Sequence, residues 1–247
     1  MDFHSISLFA WVLAALSAVL IGMGKTGLPG AGMIVVPLMA FAFGGKPSTG
    51  IVLPMLCIAD LFAVLYYHRH ADWKHIYKLL PWTLMGLVAA LLLGSNISDH
   101  QFKMLIGITV LISLVVMIWQ DYFRKSKEVP SSIWFTALFG FGAGFSTMIG
   151  NAAGPLMAIY LLSTRLPKNS YIGTGAWFFL IINYIKVPLQ IIFWKNITFQ
   201  TISFNLIMIP AIALGAFLGF KLVNFFPEKA YRMFILISTA VSALFLF

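Results

Sequence analysis

Long apolar runs alternate with short polar or glycine-rich stretches along the whole chain. The run from Pro47 to Tyr67 is typical, because its 21 residues carry a single charge, Asp60. As a helix it would be roughly 31 Å long, about the thickness of one bilayer hydrocarbon core. The pattern predicts ten apolar helical segments, at 6–22, 33–43, 47–67, 76–94, 102–119, 132–148, 151–163, 169–187, 202–221 and 230–246.

Composition indicates that these segments lie in lipid. Hydrophobic residues make up 61% of the 247 residues and charged residues only 9%, and the mean hydropathy is +0.95. So few polar side chains cannot cover a water-soluble globule of this size. We therefore predict an all-α integral membrane protein, with residues 1–247 as a single transmembrane domain of the cell (inner) membrane. A β-barrel would show shorter segments of alternating polarity.

The two halves of the chain resemble each other. Repeat A covers about 6–119, a polar linker covers 120–131, and repeat B covers about 132–247. A shift of 120 residues aligns Gly22, Gly24 and Gly30 with Gly142, Gly144 and Gly150, and a shift of 129 aligns Pro81 and Gly86 with Pro210 and Gly215. Because five segments per half is an odd number, the second half is expected upside down relative to the first. Such inverted repeats occur in many secondary transporters.

The basic residues predict the orientation. Placing the segment ends alternately on two sides leaves twelve lysines and arginines on one side and only four on the other. The richer side should be cytoplasmic, with loops 68–75 and 120–131, so both termini should be periplasmic or extracellular. This distribution accounts for the net charge of +9 without a nucleic-acid partner. The single cysteine, Cys57, excludes a disulfide within the chain.

Segment 33–43 is too short to cross a membrane. As a helix it would reach about 17 Å, roughly half of the hydrocarbon core. The first two segments of each half are therefore either two spans or one re-entrant hairpin. The span count is ten or eight accordingly, and the predicted sides stay the same.

The stretch "IGMGKTGLPGAG", residues 21–32, contains Gly-Lys-Thr but is not a phosphate loop. Val19 stands where that motif needs a glycine, and the preceding apolar run is too long for a strand. In lipid, non-helical backbone is tolerated where it is buried in protein or lines a wet cavity. We therefore predict broken helices at 22–32 and 142–154. Helices that begin at such breaks direct free amides at the cavity and favour an anion, whereas close helix packing through small residues is the alternative.

The chain resembles the sulfite exporter TauE/SafE family, also called TSUP or DUF81. The resemblance rests on the paired glycine stretches "GMGKTGLPGAG" and "GFGAGFSTMIGNAAGP", and on "KPSTGIVLPMLCIADL" and "LPKNSYIGTGAWFFLIIN", which follow them. It covers essentially the whole chain. It implies a secondary transporter that moves sulfite, sulfonates such as sulfoacetate or sulfolactate, or other small anions, usually outward and by alternating access. A transporter or channel for other small anions is the alternative.

Several polar residues at or near the two breaks are candidates for the anion site. The predicted substrate-binding residues are Gly24, Lys25, Thr26, Gly30, Ser146, Thr147, Gly150, Asn151, Trp177, Tyr184 and Lys186. Lysines offer a charge to a sulfonate, and hydroxyl and amide groups offer directed hydrogen bonds. The alternatives are lysines that snorkel to the surface, polar side chains that cap helices, and aromatic residues that only pack. Asp60 is the coupling candidate, either as a proton carrier or as the partner of a buried lysine.

No other chemistry is indicated by the sequence. The cluster "HRHADWKH" at 68–75 holds three histidines, but no cysteine or second tight pair completes a metal site. No nucleophile stands beside a base and an orienting acid, so an intramembrane enzyme is the less favoured alternative. We expect no catalytic residues, no cofactor and no metal. The expected partners are a small anionic substrate, membrane lipid and, as an option, a second copy of the chain in a homodimer.

Overall fold

The computed structural model describes residues 7–27, 31–123, 132–164 and 166–222, together with positions 233, 237 and 241. Within these residues all regular structure is helical, which confirms the predicted fold class. The α-helices are α1 Leu8–Thr26, α2 Ala31–Phe43, α3 Gly45–Tyr67, α4 Trp73–Ser95, α5 Asp99–Phe123, α6 Ile133–Gly150, α7 Gly154–Ser163, α8 Lys168–Leu189 and α9 Phe199–Leu222. A 3₁₀ turn, His68–His70, follows α3, and a π-helix, Gln190–Trp194, extends α8.

Seven of the described helices are long and apolar enough to cross a membrane, whereas α2 has 13 residues and α7 has 10. Large apolar side chains on their outer faces are exposed, as at Trp134 (81%) and Phe199 (82%). Such faces suit lipid, so the chain is a multi-pass membrane protein. Nine predicted segments coincide with helices, although α5 continues through Phe123 into the predicted linker. The tenth segment, 230–246, lies outside the described residues except at the three isolated positions.

Polar residues fix the helix ends. The side chains of Ser7 and Ser132 accept hydrogen bonds from backbone N–H groups three residues later, each at 3.2 Å, and so begin α1 and α6. Asp72 begins α4 in the same way through the N–H of His75. At the other end of α6, Asn151 takes a left-handed conformation with φ of 52°, which stops the helix.

Glycines bring two pairs of helices into backbone contact. Between α1 and α9, a Cβ atom at Gly22 would overlap the carbonyl oxygen of Ile212, and one at Gly215 would overlap that of Val19. These two contacts form the first glycine seam. Small residues that let backbones approach closely are a common means of helix association in membranes.

The second glycine seam joins α4 and α6 in the same way. A Cβ atom at Gly144 would overlap the carbonyl oxygen of Thr83, and one at Gly86 would overlap that of Phe141. The seam glycines Gly22 and Gly144 are 122 residues apart, and Gly86 and Gly215 are 129 apart, the second agreeing with the shift found in the sequence. The inverted relation of the halves stays a prediction.

Candidate functional site

Lys25 lies in the last turn of α1, next to the first break, which is the interruption between α1 and α2. Its ammonium nitrogen is 2.7 Å from Oδ1 of Asp60 on α3 and 4.2 Å from the centre of the Phe179 ring on α8. A cation is favoured at a helix C-terminus and over an aromatic face. Lys25 therefore turns towards the interior, where it forms a salt bridge.

Asp60 is fully buried in the middle of the helix bundle. Besides the salt bridge to Lys25, its Oδ2 accepts a hydrogen bond of 2.6 Å from the amide nitrogen of Asn183 on α8. Both carboxylate oxygens therefore have partners. The sequence left two roles open for Asp60, proton carrier or partner of a lysine. The structure shows Asp60 paired with Lys25.

Lys186 is fully buried on α8, one turn after Asn183, so its side chain does not reach the surface. Its ammonium group donates to Oδ1 of Asn183 at 3.2 Å and to Oγ1 of Thr147 at 3.1 Å, and it also donates to Oδ1 of Asn151. The three acceptors are all neutral. Among the described residues no carboxylate lies within 4 Å of this ammonium group.

The second break, residues 151–153, separates α6 from α7. The backbone N–H of Asn151 donates to the carbonyl of Thr147 at 3.1 Å, and the N–H of Ala152 donates to that of Ser146 at 3.3 Å. The hydroxyl of Ser113 on α5 donates to the carbonyl of Ala152 at 3.0 Å. These bonds hold the break in one shape, and the side chain of Asn151 reaches Lys186 from it.

These contacts connect the two breaks through the crossing of α3 and α8. We call the connected side chains the central polar chain; its members are Lys25, Asp60, Asn183, Lys186, Thr147 and Asn151. With each group in its ordinary state at pH 7, two ammonium groups and one carboxylate leave a formal charge of +1. A buried charge of this sign is suited to an anion.

Thr26 does not join the central polar chain. Its buried hydroxyl lies 2.9 Å from the carbonyl oxygens of Gly22 and of Ala216, so it connects α1 to α9. Ser146 is buried in the turn before the second break, where its carbonyl accepts the bond from Ala152. Thr26 and Ser146 therefore lie next to the breaks, but neither hydroxyl is hydrogen-bonded to Lys25 or Lys186.

The predicted glycines have packing contacts. A Cβ atom at Gly24 would meet the backbone of Gly32 and the side chain of Ala31, and one at Gly150 would lie near Val36. Gly30 lies outside the described residues. The structure therefore places Gly24 and Gly150 beside the breaks, where small residues allow close packing.

The two predicted aromatic residues lie away from the lysines. The indole N–H of Trp177 donates to the carbonyl of His68 in the 3₁₀ turn at 3.3 Å, and its ring centre lies 5.1 Å from that of Trp73. Tyr184 is 49% exposed on the outer side of α8. Asn183, which the sequence analysis did not select, occupies the inner position instead. Its spacing of three residues from Lys186 on an apolar helix was the available signal.

Of the three histidines at 68–75, His75 contacts the residue that begins α4. His75 lies 3.1 Å from the carboxylate of Asp72, the residue that caps α4. Partial burial opposes ionisation of Asp72, but hydrogen bonds from the side chain and backbone of His75 outweigh it and lower the pKa of the carboxyl group. Within the described residues no group of histidine, cysteine or acidic side chains is arranged to hold a metal.

Seven candidate spans, two interrupted helices and a buried polar chain between them define a membrane protein of the transport class. A family model described as sulfite exporter TauE/SafE matches residues 7–246. The chain belongs to this family, and anion export is the activity that membership implies. No curated protein and no solved structure matches the chain.

Proposed function

We propose that the chain exports a small sulfur oxyanion, sulfite or a sulfonate such as sulfoacetate or sulfolactate, and that the anion binds at Lys186. One observation carries the proposal: the Lys186 ammonium is fully buried, and its hydrogen-bond partners among the described residues are all neutral. Among the described residues, the carboxylate of Asp60 already pairs with Lys25. In its protonated form Lys186 therefore carries a positive charge that no described carboxylate contacts and that an anionic substrate can meet.

An anion would replace neutral oxygens around Lys186. Hydrogen bonds between charged groups are roughly twice as strong as neutral ones, so an oxyanion competes well with the amide oxygen of Asn151. The amide and hydroxyl groups of Asn151 and Thr147 then become partners for the remaining substrate oxygens. The formal charge of +1 falls to zero when one monoanion binds, which removes the cost of an unpaired buried charge.

The second break adds backbone donors. α7 begins at Gly154, three residues after Asn151, so the backbone N–H groups of Gly154 and Leu156 lie at the same break, whereas Pro155 between them has no N–H. A Cβ atom at Gly154 would meet no other atom within 4 Å, so space is open at this helix start. A helix N-terminus stabilises a neighbouring anion through its free N–H groups and its dipole. A compact oxyanion fits these donors better than a bulky apolar compound.

Export needs no coupled ion in a cell with an inside-negative potential. Each negative charge that leaves gains about 2.3 kcal/mol per 100 mV. We infer that the protein lies in the cell (inner) membrane with both termini outside, and that two inverted repeats expose the site alternately to the two sides. On this proposal the protein moves its substrate without chemical change and is not an enzyme.

Efflux from liposomes that contain the purified protein tests the proposal. Lys186→Gln should lower the initial rate of sulfite efflux by at least about tenfold, because it removes a charge-assisted contact that is typically stabilising by 1.5–3 kcal/mol. Lys186→Arg should keep part of the rate. Lys74→Gln, which removes an equal charge from the exposed first turn of α4, is the matched control and should retain the parental rate.

Equilibrium binding completes the test. Sulfite should raise the melting temperature of the parent and of Lys74→Gln by similar amounts, and that of Lys186→Gln by clearly less at the same sulfite concentration, since a ligand stabilises the folded state in proportion to how tightly it binds. Equal efflux and equal thermal shifts in the parent and in a folded Lys186→Gln protein would refute the assignment. The panel should include sulfoacetate, sulfolactate and thiosulfate, with acetate and chloride as references.

A further inference from the structure

A cavity of about 400 Å³ lies at the N-terminal end of α3, next to the segment that follows the π-helix. Its polar lining consists of Lys46, Lys195, Asn196, Thr198 and Thr201. By the distribution of basic residues, this end of the bundle is the outer one. We call this space the outer cavity. It is separate from Lys186, which is not among its lining residues.

The outer cavity carries positive charge. Lys46 and Lys195 line it, and the residues that line it include no acidic side chain. The nearby carboxylate of Asp99 accepts hydrogen bonds from the backbone N–H groups of Gly45 and Lys46, at 3.2 and 3.0 Å, and lies 3.9 Å from the ammonium of Lys103. Asp99 therefore has its own partners, and the two cavity lysines have no acidic neighbour in the lining.

Asn196 shapes the cavity wall. Its amide nitrogen donates to the carbonyl of Lys46 at 2.8 Å and to the hydroxyl of Thr49 at 2.9 Å. Its Oδ1 atom is buried without a hydrogen-bond partner. These bonds connect the π-helix end to the start of α3 and hold the two sides of the cavity together.

Gln190 lies between Lys186 and the outer cavity. It follows Lys186 by one helical turn, is fully buried, and neither its amide nitrogen nor its amide oxygen has a hydrogen-bond partner. Its backbone carbonyl accepts the N–H of Asn196, a cavity residue, at 3.4 Å. A buried amide without partners is destabilising, so it needs an explanation. Gln190 also begins the π-helix, and π-helical turns occur frequently at functional sites.

We propose that the outer cavity is a second anion site, where Lys46 and Lys195 bind the small oxyanion as it leaves Lys186 and Gln190 donates a hydrogen bond to it on the way. The route from Lys186 rests on the proposed function, whereas the binding of an oxyanion in the cavity does not. Asn183, Lys186 and Gln190 recur at spacings of three and four residues, which place them on one face of α8 and its extension. This face gives the anion polar partners at successive turns.

Binding of sulfite to purified protein, measured by calorimetry at low salt, tests the second site. In Lys186→Gln, a weaker sulfite site should remain, and adding Lys46→Gln and Lys195→Gln should weaken it by at least about tenfold. Adding Lys103→Gln instead is the matched control, since Lys103 is a lysine of the same end that does not line the cavity, and it should leave the weak site unchanged. The weak site should also lose affinity as salt rises, because its lysines are close to solvent.

The outcomes separate the two proposals. If Lys186→Gln shows no residual sulfite binding, or if the Lys46 and Lys195 changes act no more than Lys103→Gln, the outer cavity is not an anion site. If Lys186→Gln binds and transports like the parent while the cavity changes still remove one site, the proposed function at Lys186 is wrong and the cavity site stands.

Gln190→Leu tests the route. It should slow sulfite efflux by at least about tenfold while the thermal shift with sulfite stays within about twofold of the parental value, since the variant leaves Lys186 intact. Gln190→Glu should slow efflux further, because a carboxylate repels the anion. An unchanged efflux rate in both folded variants would exclude Gln190 from the route.

Discussion

The two helix breaks differ in where their charge comes from. The first break carries its own cation, Lys25, and that cation is paired with Asp60. The second break has neutral groups, Asn151 within it and Thr147 in the turn before it, and the cation Lys186 reaches them from α8. On the proposed function, the first break stabilises the bundle through its ion pair, whereas the second break binds the ligand. The repeated sequence motif thus supports two different roles.

This difference modifies the expectation of one anion site formed by residues of both breaks. The breaks are connected through Asp60 and Asn183, but the neutral oxygens that an anion would replace on the proposed function lie at the second break. We therefore expect changes at the first break to act mainly on stability and on the movement of helices. Changes at the second break should act mainly on binding.

The largest effect is expected for Asp60→Asn. The variant leaves Lys25 without its counter-charge, and breaking such a pair costs about 3–5 kcal/mol when the remaining charge stays buried. Because Lys25 is 18% exposed, we expect the lower end of this range. The melting temperature in detergent should fall, and sulfite efflux should fall with it.

The double variant Asp60→Asn with Lys25→Gln is the control for this effect. It removes both charges, so it should recover part of the stability that the single variant loses. A single variant as stable as the parent would show that the salt bridge does not hold the first break.

An intermediate effect is expected for a matched pair of threonines. Thr147→Val removes one acceptor from Lys186 and one donor from the site, so sulfite binding should weaken by about five- to tenfold, which corresponds to roughly 1 kcal/mol. Thr26→Val removes the hydroxyl contact between α1 and α9, so it should lower the melting temperature and leave sulfite affinity unchanged.

The measurements are a thermal unfolding curve and a sulfite titration on each variant. If Thr26→Val weakens sulfite binding as much as Thr147→Val does, the two breaks do not have different roles. The different roles are also refuted if both variants change the melting temperature and neither changes sulfite affinity.

The smallest effect is expected for Tyr184→Phe. The sequence places Tyr184 next to Asn183 and near Lys186, but its side chain lies on the outer side of α8. Loss of a hydroxyl at an exposed position usually changes stability by less than about 0.5 kcal/mol. Efflux rate and sulfite affinity should stay within about twofold of the parent, and a larger loss of affinity would place Tyr184 in the substrate path.

Much of the fold was predictable because the dominant signal is simple. Length and apolarity locate helices in a membrane protein, so nine segments were found. The glycine stretches indicated both interruptions, but the predicted starts at 22 and 142 were too early, because α1 continues to Thr26 and α6 to Gly150. The predicted segment 102–119 ended too early, because the next residues, "QDYF", begin with two polar side chains. The helix α5 nevertheless continues through Phe123. Boundaries depend on local capping, which hydropathy does not report.

The site was predictable residue by residue only in part. Lys25, Asp60 and Lys186 stand out because charge in an apolar run is rare. Asp60 on α3 pairs with Lys25 on α1 and accepts a hydrogen bond from Asn183 on α8, over 123 residues of sequence separation, and no local pattern specifies either contact. Thr26 and Thr147 look alike in sequence, and only the neighbouring helix decides whether each hydroxyl meets a backbone carbonyl or an ammonium group.

The two glycine seams determine which parts of the molecule are able to move against each other. Where backbone lies against backbone, as at Gly22 with Ile212 and at Gly144 with Thr83, there is no layer of side chains to rearrange. Such contacts hold each pair of helices as one stiff body, and shear between the partners would be resisted at every turn. α3 packs against the first pair and α8 packs against α4, and α3 and α8 cross at the hydrogen bond between Asp60 and Asn183. On the proposed alternating access, rocking of the two pairs about that crossing would carry Lys25 with one body and Thr147 with the other.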